Sequence, residues 1–237
     1  MKLKLNWAAF ALLTGPLSAA TLVDDFTSGL GNWTPTVILD ANGGGSNTFA
    51  FEVNGSDQLE INTSSYEGIE QYAFTYGGAA LAVGEEAQVD ISGVPISGNR
   101  NLGLYVGGTA PTAGVRQDYI TVYAGGNNNL ATRGFDGTTE YNNPQSSGAG
   151  AQTLFIARTD ENTFDVGYYI GDERTVFSTR NPGTANTADF VGIYADVREA
   201  GTVGAIDSFR IVSQVPEPST ALLGALAALG LLRRRRA

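Results

Sequence analysis

The chain has no cysteine and no histidine, and its only lysines are Lys2 and Lys4. Without cysteine no disulfide can staple the fold, so packing, sheet hydrogen bonds or bound calcium must stabilise it. Without histidine there is no Ser-His-Asp triad and no imidazole general base. With both residue types missing there is no ordinary zinc or copper site. An enzyme made from this sequence would have to work with carboxylates, tyrosine or arginine. A convincing helical period is also lacking between residues 21 and 214, which excludes a helical bundle.

What is present is most distinctive at the two ends. Lys2 and Lys4 form a positive n-region, Leu5 to Leu17 an apolar run, and Ser18, Ala19 and Ala20 a small-residue cleavage site. Together these describe a secretory signal peptide over residues 1–20, cut after Ala20. A buried first helix would not explain why both lysines fall in the first four residues. Residues 215–237 read as three parts in order: VPEPS, an apolar run from Thr220 to Leu232, and the cluster Arg233, Arg234, Arg235 and Arg236. Pro216 and Pro218 flank Glu217 and hold the chain extended, so the folded body must end here. The 13-residue apolar run would rise about 20 Å as a helix, short of the roughly 30 Å hydrocarbon core, and is a marginal span. The arginines that follow act as a cytoplasmic stop.

This tail resembles the PEP-CTERM sorting tail of Gram-negative bacteria, with Pro216, Glu217 and Pro218 as the named triplet. An ordinary C-terminal tail-anchor is the alternative. The resemblance implies a temporary inner-membrane anchor. It also implies that an exosortase cuts near the triplet and releases the body to the cell surface or the exopolysaccharide matrix.

The body, residues 21–214, holds 8 arginines against 23 acidic residues, a formal charge of −15. Nucleic acid and anionic membrane surfaces are poor partners for it. Its length suits one sizeable core, and nothing in its composition marks a second domain. Short alternating runs recur between Gly, Asn, Asp or Pro: residues 47–53, 58–62, 71–76, 87–91, 102–106, 118–124, 153–158, 163–170, 175–178, 189–195 and 205–213. Many short strands with frequent turn signals predict an all-β sandwich or jelly roll. The glycine-rich segments 42–45, 125–129 and 145–150 read as loops. Asn54-Gly55 lies between two alternating runs and supplies the positive φ angles of a tight hairpin. In residues 118–124, Ile120, Val122 and Ala124 fall on a core face, while Tyr119, Thr121 and Tyr123 fall on the other.

The body opens with Val23-Asp24-Asp25-Phe26 and Gly31-Asn32-Trp33 and closes with AIDSFRI at 205–211, preceded by LFIARTDENTFDVGYY and VGIYAD. This order is similar to concanavalin A-like (laminin-G-like) jelly-roll modules of bacterial surface proteins and glucanases, in which the first and last strands pair. Glucanases of this fold carry two carboxylates on one strand in a Glu-x-Asp-x-Glu pattern, or one residue longer. Strand alternation can place an acid and a nucleophile about 5 Å apart on one side, as a retaining enzyme needs. That pattern is absent. Asp57 and Glu60, Glu67 and Glu70, and Glu85 and Glu86 read as solvated turn or edge charges.

The related glucanases tie the first strand to the last with a structural calcium. By resemblance Asp207, in AIDSFRI, and Asp25, in VDDF, would be its ligands, and an extracellular site can be filled even at a dissociation constant of roughly 10⁻⁴ M. The alternative is that Asp207 only ends a β-turn and Asp25 only precedes a buried Phe26. Tyr105, Tyr119 and Tyr123 are the candidate sugar platforms, expected as exposed rings on the concave face, with Arg116 and Arg133 as nearby donors. Tyrosine also suits strand faces for packing alone. Trp33 is expected in the core. Three functions fit these residues. The preferred one is a non-catalytic surface or matrix protein whose body binds extracellular polysaccharide. The others are a structural or adhesive matrix component with no glycan site, and a hydrolase or lyase acting through tyrosine and arginine.

Overall fold

The computed structural model describes residues 20–40, 49–63, 69–92, 100–125, 129–136, 138–145, 151–182 and 186–214. The expected signal peptide up to residue 19, the sorting tail from residue 215 and the short apolar helix within it lie outside the described residues.

Every regular element among the described residues is a strand: β1 (Ala20–Asp24), β2 (Trp33–Asp40), β3 (Phe49–Val53), β4 (Leu59–Thr63), β5 (Glu70–Tyr76), β6 (Glu85–Ser92), β7 (Arg100–Gly107), β8 (Tyr119–Gly125), β9 (Asn129–Phe135), β10 (Glu140–Gln145), β11 (Thr153–Asp160), β12 (Thr163–Ile170), β13 (Glu173–Arg180), β14 (Phe190–Val197) and β15 (Gly201–Ser213). They form two antiparallel sheets. One has eight strands in the order β13-β12-β11-β6-β15-β4-β3, with β1 added to β15, and the other has seven in the order β10-β9-β8-β7-β14-β5-β2. The expected all-β jelly-roll sandwich is what the chain forms. First and last strands do pair, Ala20 opposite Val212 and Asp24 opposite Phe209.

Period-two alternation builds the core between the sheets. Ile120, Val122 and Ala124 of β8, Ala87 and Val89 of β6, and Leu154 and Ile156 of β11 all point into it. Trp33 joins them: its ring stacks on Phe74 at 5.0 Å and meets the edges of Tyr76 and Phe209 at 5.2 Å each. Asp24 fixes this group by accepting from Trp33 Nε1 at 2.9 Å and from the Phe26 amide at 2.8 Å. Phe26 is fully buried with φ 62, a left-handed conformation costly for a bulky residue and held here by that amide bond and the packing around its ring.

Several expectations need correction. The β3–β4 hairpin exists, but its turn is not an Asn-Gly two-residue turn. Positive φ falls on Asp57 at 57°, and Asn54 Oδ1 accepts from the amides of Ser56 and Gln58. The extra residues relieve Asn54 and Gly55 of the left-handed geometry. The expected loops at 125–129 and 145–150 give up Gly125 to β8, Asn129 to β9 and Gln145 to β10. Strands β2, β9 and β10 did not stand out among the alternating runs. Two of them carry a proline, Pro35 in β2 and Pro144 in β10, and these strands form the two edges of the seven-stranded sheet. Edges are where a sheet tolerates a missing backbone donor, and a proline there also blunts pairing with another chain.

Candidate functional site

The outer face of the seven-stranded sheet collects the predicted ligand residues. Tyr105 stands on β7, Tyr119 and Tyr123 on β8, and Arg133 on β9, while Arg116 lies in the β7–β8 connection. Tyr194 of β14 completes a floor of four rings. Tyr105 and Tyr119 lie 5.6 Å apart, Tyr119 and Tyr194 6.5 Å, and Tyr123 and Tyr194 5.7 Å, with interplanar angles of 27°, 28° and 37°. Each of these tyrosines has a glycine as cross-strand neighbour. Tyr105 is opposite Gly192, Tyr119 opposite Gly107, and both Tyr123 and Tyr194 are opposite Gly103. A glycine leaves bare backbone beside a large ring, so the ring can lie over the sheet. At Gly107 a Cβ would come within 2.6 Å of the Tyr105 hydroxyl.

This face is concave. Gly114 and Arg116 are two residues apart in the β7–β8 connection, yet the Gly114 amide donates to Val37 of β2 at 2.8 Å while Arg116 pairs with Glu140 of β10. Those strands are the two edges of the sheet, about 29 Å apart if it were flat. The sheet therefore curls until one connection touches both edges, and that connection lies over the face.

Side chains inside the curl bridge strands that are not neighbours. Arg133 on β9 pairs with Asp196 on β14 at 2.5 Å and approaches the Tyr194 hydroxyl at 3.4 Å, and the Tyr119 hydroxyl donates to Gln71 of β5 at 3.3 Å. Arg133 Nε sits 3.1 Å from Glu140 Oε1 but out of line for a hydrogen bond. Burial works against the Arg133 charge, but the surrounding Tyr194, Tyr123 and Asp196 outweigh it and hold the guanidinium more strongly protonated than usual. Burial likewise pushes the hydroxyls of Tyr105, Tyr119, Tyr123 and Tyr194 above their ordinary range.

The five candidate residues are thus gathered around one face, as alternation indicated for the tyrosines, but the rings are not exposed. Tyr105 and Tyr119 are 1 % exposed and Tyr123 6 %, because the curl and the β7–β8 connection close over them. What solvent reaches is the rim, where the Arg116 and Glu140 side chains are 27 % and 35 % exposed. Arg116 also lies 5.3 Å over the Phe135 ring.

A second polar group lies on the outer face of the eight-stranded sheet. Glu86, Gln88 and Asp90 alternate with the inward Ala87 and Val89 along β6. Glu86 is not a solvated edge charge. It is fully buried, accepting from Tyr169 Oη at 2.8 Å, Arg174 Nε at 3.0 Å and Gln88 Nε2 at 2.6 Å. Arg174 in turn lies 4.1 Å over Phe155, whose ring rests on Gly167 of β12. Asp90 accepts from Arg210, Thr153 and Ser208. Glu70, also expected to be solvated, is buried and accepts from the Tyr72 hydroxyl at 2.6 Å. The signal in the sequence was the E-A-Q-V-D alternation at 86–90. Their partners, Tyr169, Arg174 and Arg210, lie more than 80 residues away and could not be assigned to them. Every carboxylate in this row is occupied by arginine or hydroxyl donors, so the row is a polar clasp over β6.

The two aspartates proposed for calcium each accept hydrogen bonds from neighbouring side chains or amides. Asp25 Oδ1 accepts from the amide and hydroxyl of Thr27 in an exposed turn after β1. Asp207 Oδ1 accepts from Gln58 Nε2 at 2.5 Å and Ser92 Oγ at 3.0 Å. Among the described residues no group of three or more acidic side chains is placed to hold a metal ion.

Residues 214–236 match the PEP-CTERM protein-sorting motif. No curated protein sequence matches the chain. Among solved structures, the exoplasmic/lumenal domain of VIP36 in its Ca2+/Man3GlcNAc-bound form is similar with a TM-score of 0.50 and 10 % identity, over 80 % of this chain and 86 % of that one. A Bacillus subtilis protein of unknown function with a galectin-like fold is similar with a TM-score of 0.52 and 10 % identity, over 83 % of this chain and 98 % of that one. At such identity the likeness is one of fold: a galectin- and lectin-like jelly roll followed by a PEP-CTERM motif.

Proposed function

We propose that the chain is an exported surface or matrix protein, anchored in the membrane until an exosortase removes its tail, with a non-catalytic body that binds extracellular polysaccharide. The sorting motif at 214–236 supports the first half. One observation carries the second. The curled sheet of a lectin-like fold brings four tyrosine rings together with Arg116, Arg133, Glu140 and Asp196 on its concave face. Flat rings suit the apolar faces of sugars, and the charged groups suit hydroxyls. A glycan would engage the Arg116–Glu140 rim first and reach the rings by displacing the β7–β8 connection.

The burial of those rings favours a second reading, a structural matrix component in which the tyrosines only pack. Retention of the tail-less chain on matrix polysaccharides separates the two. Retention that weakens in Arg116→Ala supports the glycan reading, and no retention on any polysaccharide supports the structural one. Catalysis is the least supported function. Glu140 and Asp196 share Arg133, and Glu86 and Asp90 are clasped by Arg174 and Arg210, so none of these carboxylates stands free to act as acid or nucleophile.

A further inference from the structure

Both expected membrane-directed segments leave the body from one place. Ala20, the residue before the expected signal cleavage, pairs with Val212, two residues before the sorting motif begins at 214. Because β1 and β15 are antiparallel, the start of one lies beside the end of the other. The exit is also fixed to the body. Ser213 pairs with Glu85, and the Gln214 amide donates to Gly84 O at 2.8 Å. Gly84 N in turn donates to Arg158 O at 2.8 Å, placing the end of β11 at the same end of the sandwich. Arg158 ties that end together, its guanidinium donating to the carbonyls of Leu81, Thr187 and Glu161 at 2.9, 2.7 and 2.8 Å. Three connections, β5–β6, β11–β12 and β13–β14, are thereby locked around the point where the tail leaves.

The geometry points to this end as the membrane-facing surface of the exported precursor, with a lipid bilayer as its partner. Only residues 215–219 separate Gln214 from the apolar run at Thr220. Fully extended they span at most about 20 Å, so an anchored tail keeps the Gly84 end close to the lipid headgroups. The opposite end, with the β12–β13 turn at Gly171 and Asp172, stands one strand length further out, about 25 Å. Since the tail leaves after the last residue of β15, its removal takes no strand from either sheet, and the body is released already folded. The inference rests on the tail being an anchor, which its test checks separately.

The absence of cysteine allows single labels. Val83→Cys, at an exposed turn residue beside Gly84, and Asp172→Cys, at the opposite turn, are labelled with one fluorophore in the full chain and mixed with phosphatidylethanolamine–phosphatidylglycerol vesicles carrying a headgroup quencher. The label at 83 is expected to be quenched several-fold more strongly than that at 172, and both lose quenching in a chain of residues 21–214, which lacks both membrane-directed segments. Equal quenching, or stronger quenching at 172, overturns the orientation while leaving the anchor intact. A full chain that does not bind vesicles overturns the anchor and the orientation with it.

Discussion

Arg133 on β9 and Asp196 on β14 form an ion pair across the two strands between them, with the carboxylate fully buried. The pair pins the curl of the seven-stranded sheet, because a flat sheet would hold its strands about 14 Å apart. Removing one partner leaves the other with a poorer counterion, Arg198 at 3.5 Å for Asp196 and Glu140, out of line, for Arg133. Arg133→Met or Asp196→Leu is therefore expected to cost about 2–4 kcal/mol in urea unfolding, somewhat less than a fully orphaned buried charge would, whereas the double variant recovers most of that loss. Singles within about 1 kcal/mol of wild type would mean that water already reaches the pair.

The tyrosine floor depends on bare backbone next to it. A Cβ on Gly103 would meet Val122 O at 1.9 Å, and one on Gly192 would meet Phe74 O at 2.2 Å. These are backbone atoms that cannot swing aside, so Gly103→Ala and Gly192→Ala should each destabilise by about 3 kcal/mol or more. Gly55→Ala, in open space in the β3–β4 turn, should stay within about 1 kcal/mol in the same thermal melts.

Asp24 links the opening strand to the aromatic cluster through Trp33 Nε1 and the Phe26 amide. Asp24→Ala orphans both donors and is expected to cost about 1–3 kcal/mol. Trp33 is the only tryptophan of residues 21–214, so its emission reports on the site alone and should shift to the red as water enters. An unshifted spectrum with unchanged stability would show that the indole needs no acceptor there.

Stability should fall at both ends of the pH scale. Burial by itself raises the Asp90 carboxyl, but bonds from Arg210, Thr153 and Ser208 outweigh it and hold the group below its ordinary 3.8. A lowered carboxyl contributes stability above its unfolded value, and that contribution is lost as pH falls below about 4. The tyrosines act oppositely. Burial raises Tyr105, Tyr119, Tyr123 and Tyr194, and burial with Glu86 pushes Tyr169 up to about 12. A raised hydroxyl contributes fully below its unfolded value of 10 and loses that contribution as pH rises beyond it. An ultraviolet titration should show these tyrosines ionising together with unfolding. Independent ionisation near pH 10 without unfolding would show that the floor is open to water.

Where a strand carries its own alternation, sequence and structure agree. Residues 118–124 divide into Ile120, Val122 and Ala124 toward the core and Tyr119, Thr121 and Tyr123 away from it, and the body's opening and closing strands pair. What no single strand states is what covers its outer side. The tyrosines are buried by glycines on adjacent strands, by Arg133 reaching Asp196 over 63 residues of sequence, and by a connection that closes on Val37. Glu86 is buried by Arg174 and Tyr169 from a later hairpin. Strands β9 and β10 were hidden for another reason: their sequences, NLATRGF and EYNNPQ, carry small, polar and proline residues where a half-buried strand would show a clear apolar stripe.

No group of three or more acidic side chains is placed to hold a metal ion among the described residues, so adding EDTA is expected to move the melting temperature by less than about 2 °C. A shift of about 10 °C or more would require a site that Asp25 and Asp207 do not form by themselves.

The most direct test is retention of the chain ending at Gln214, which keeps all fifteen strands, on a panel of bacterial exopolysaccharides and on a glycan array, beside Arg116→Ala. The proposed function predicts retention on at least one polysaccharide, weakened several-fold in Arg116→Ala while the melting temperature holds. A folded body that binds no glycan on either platform would contradict it and leave a structural matrix protein carrying an exosortase sorting tail.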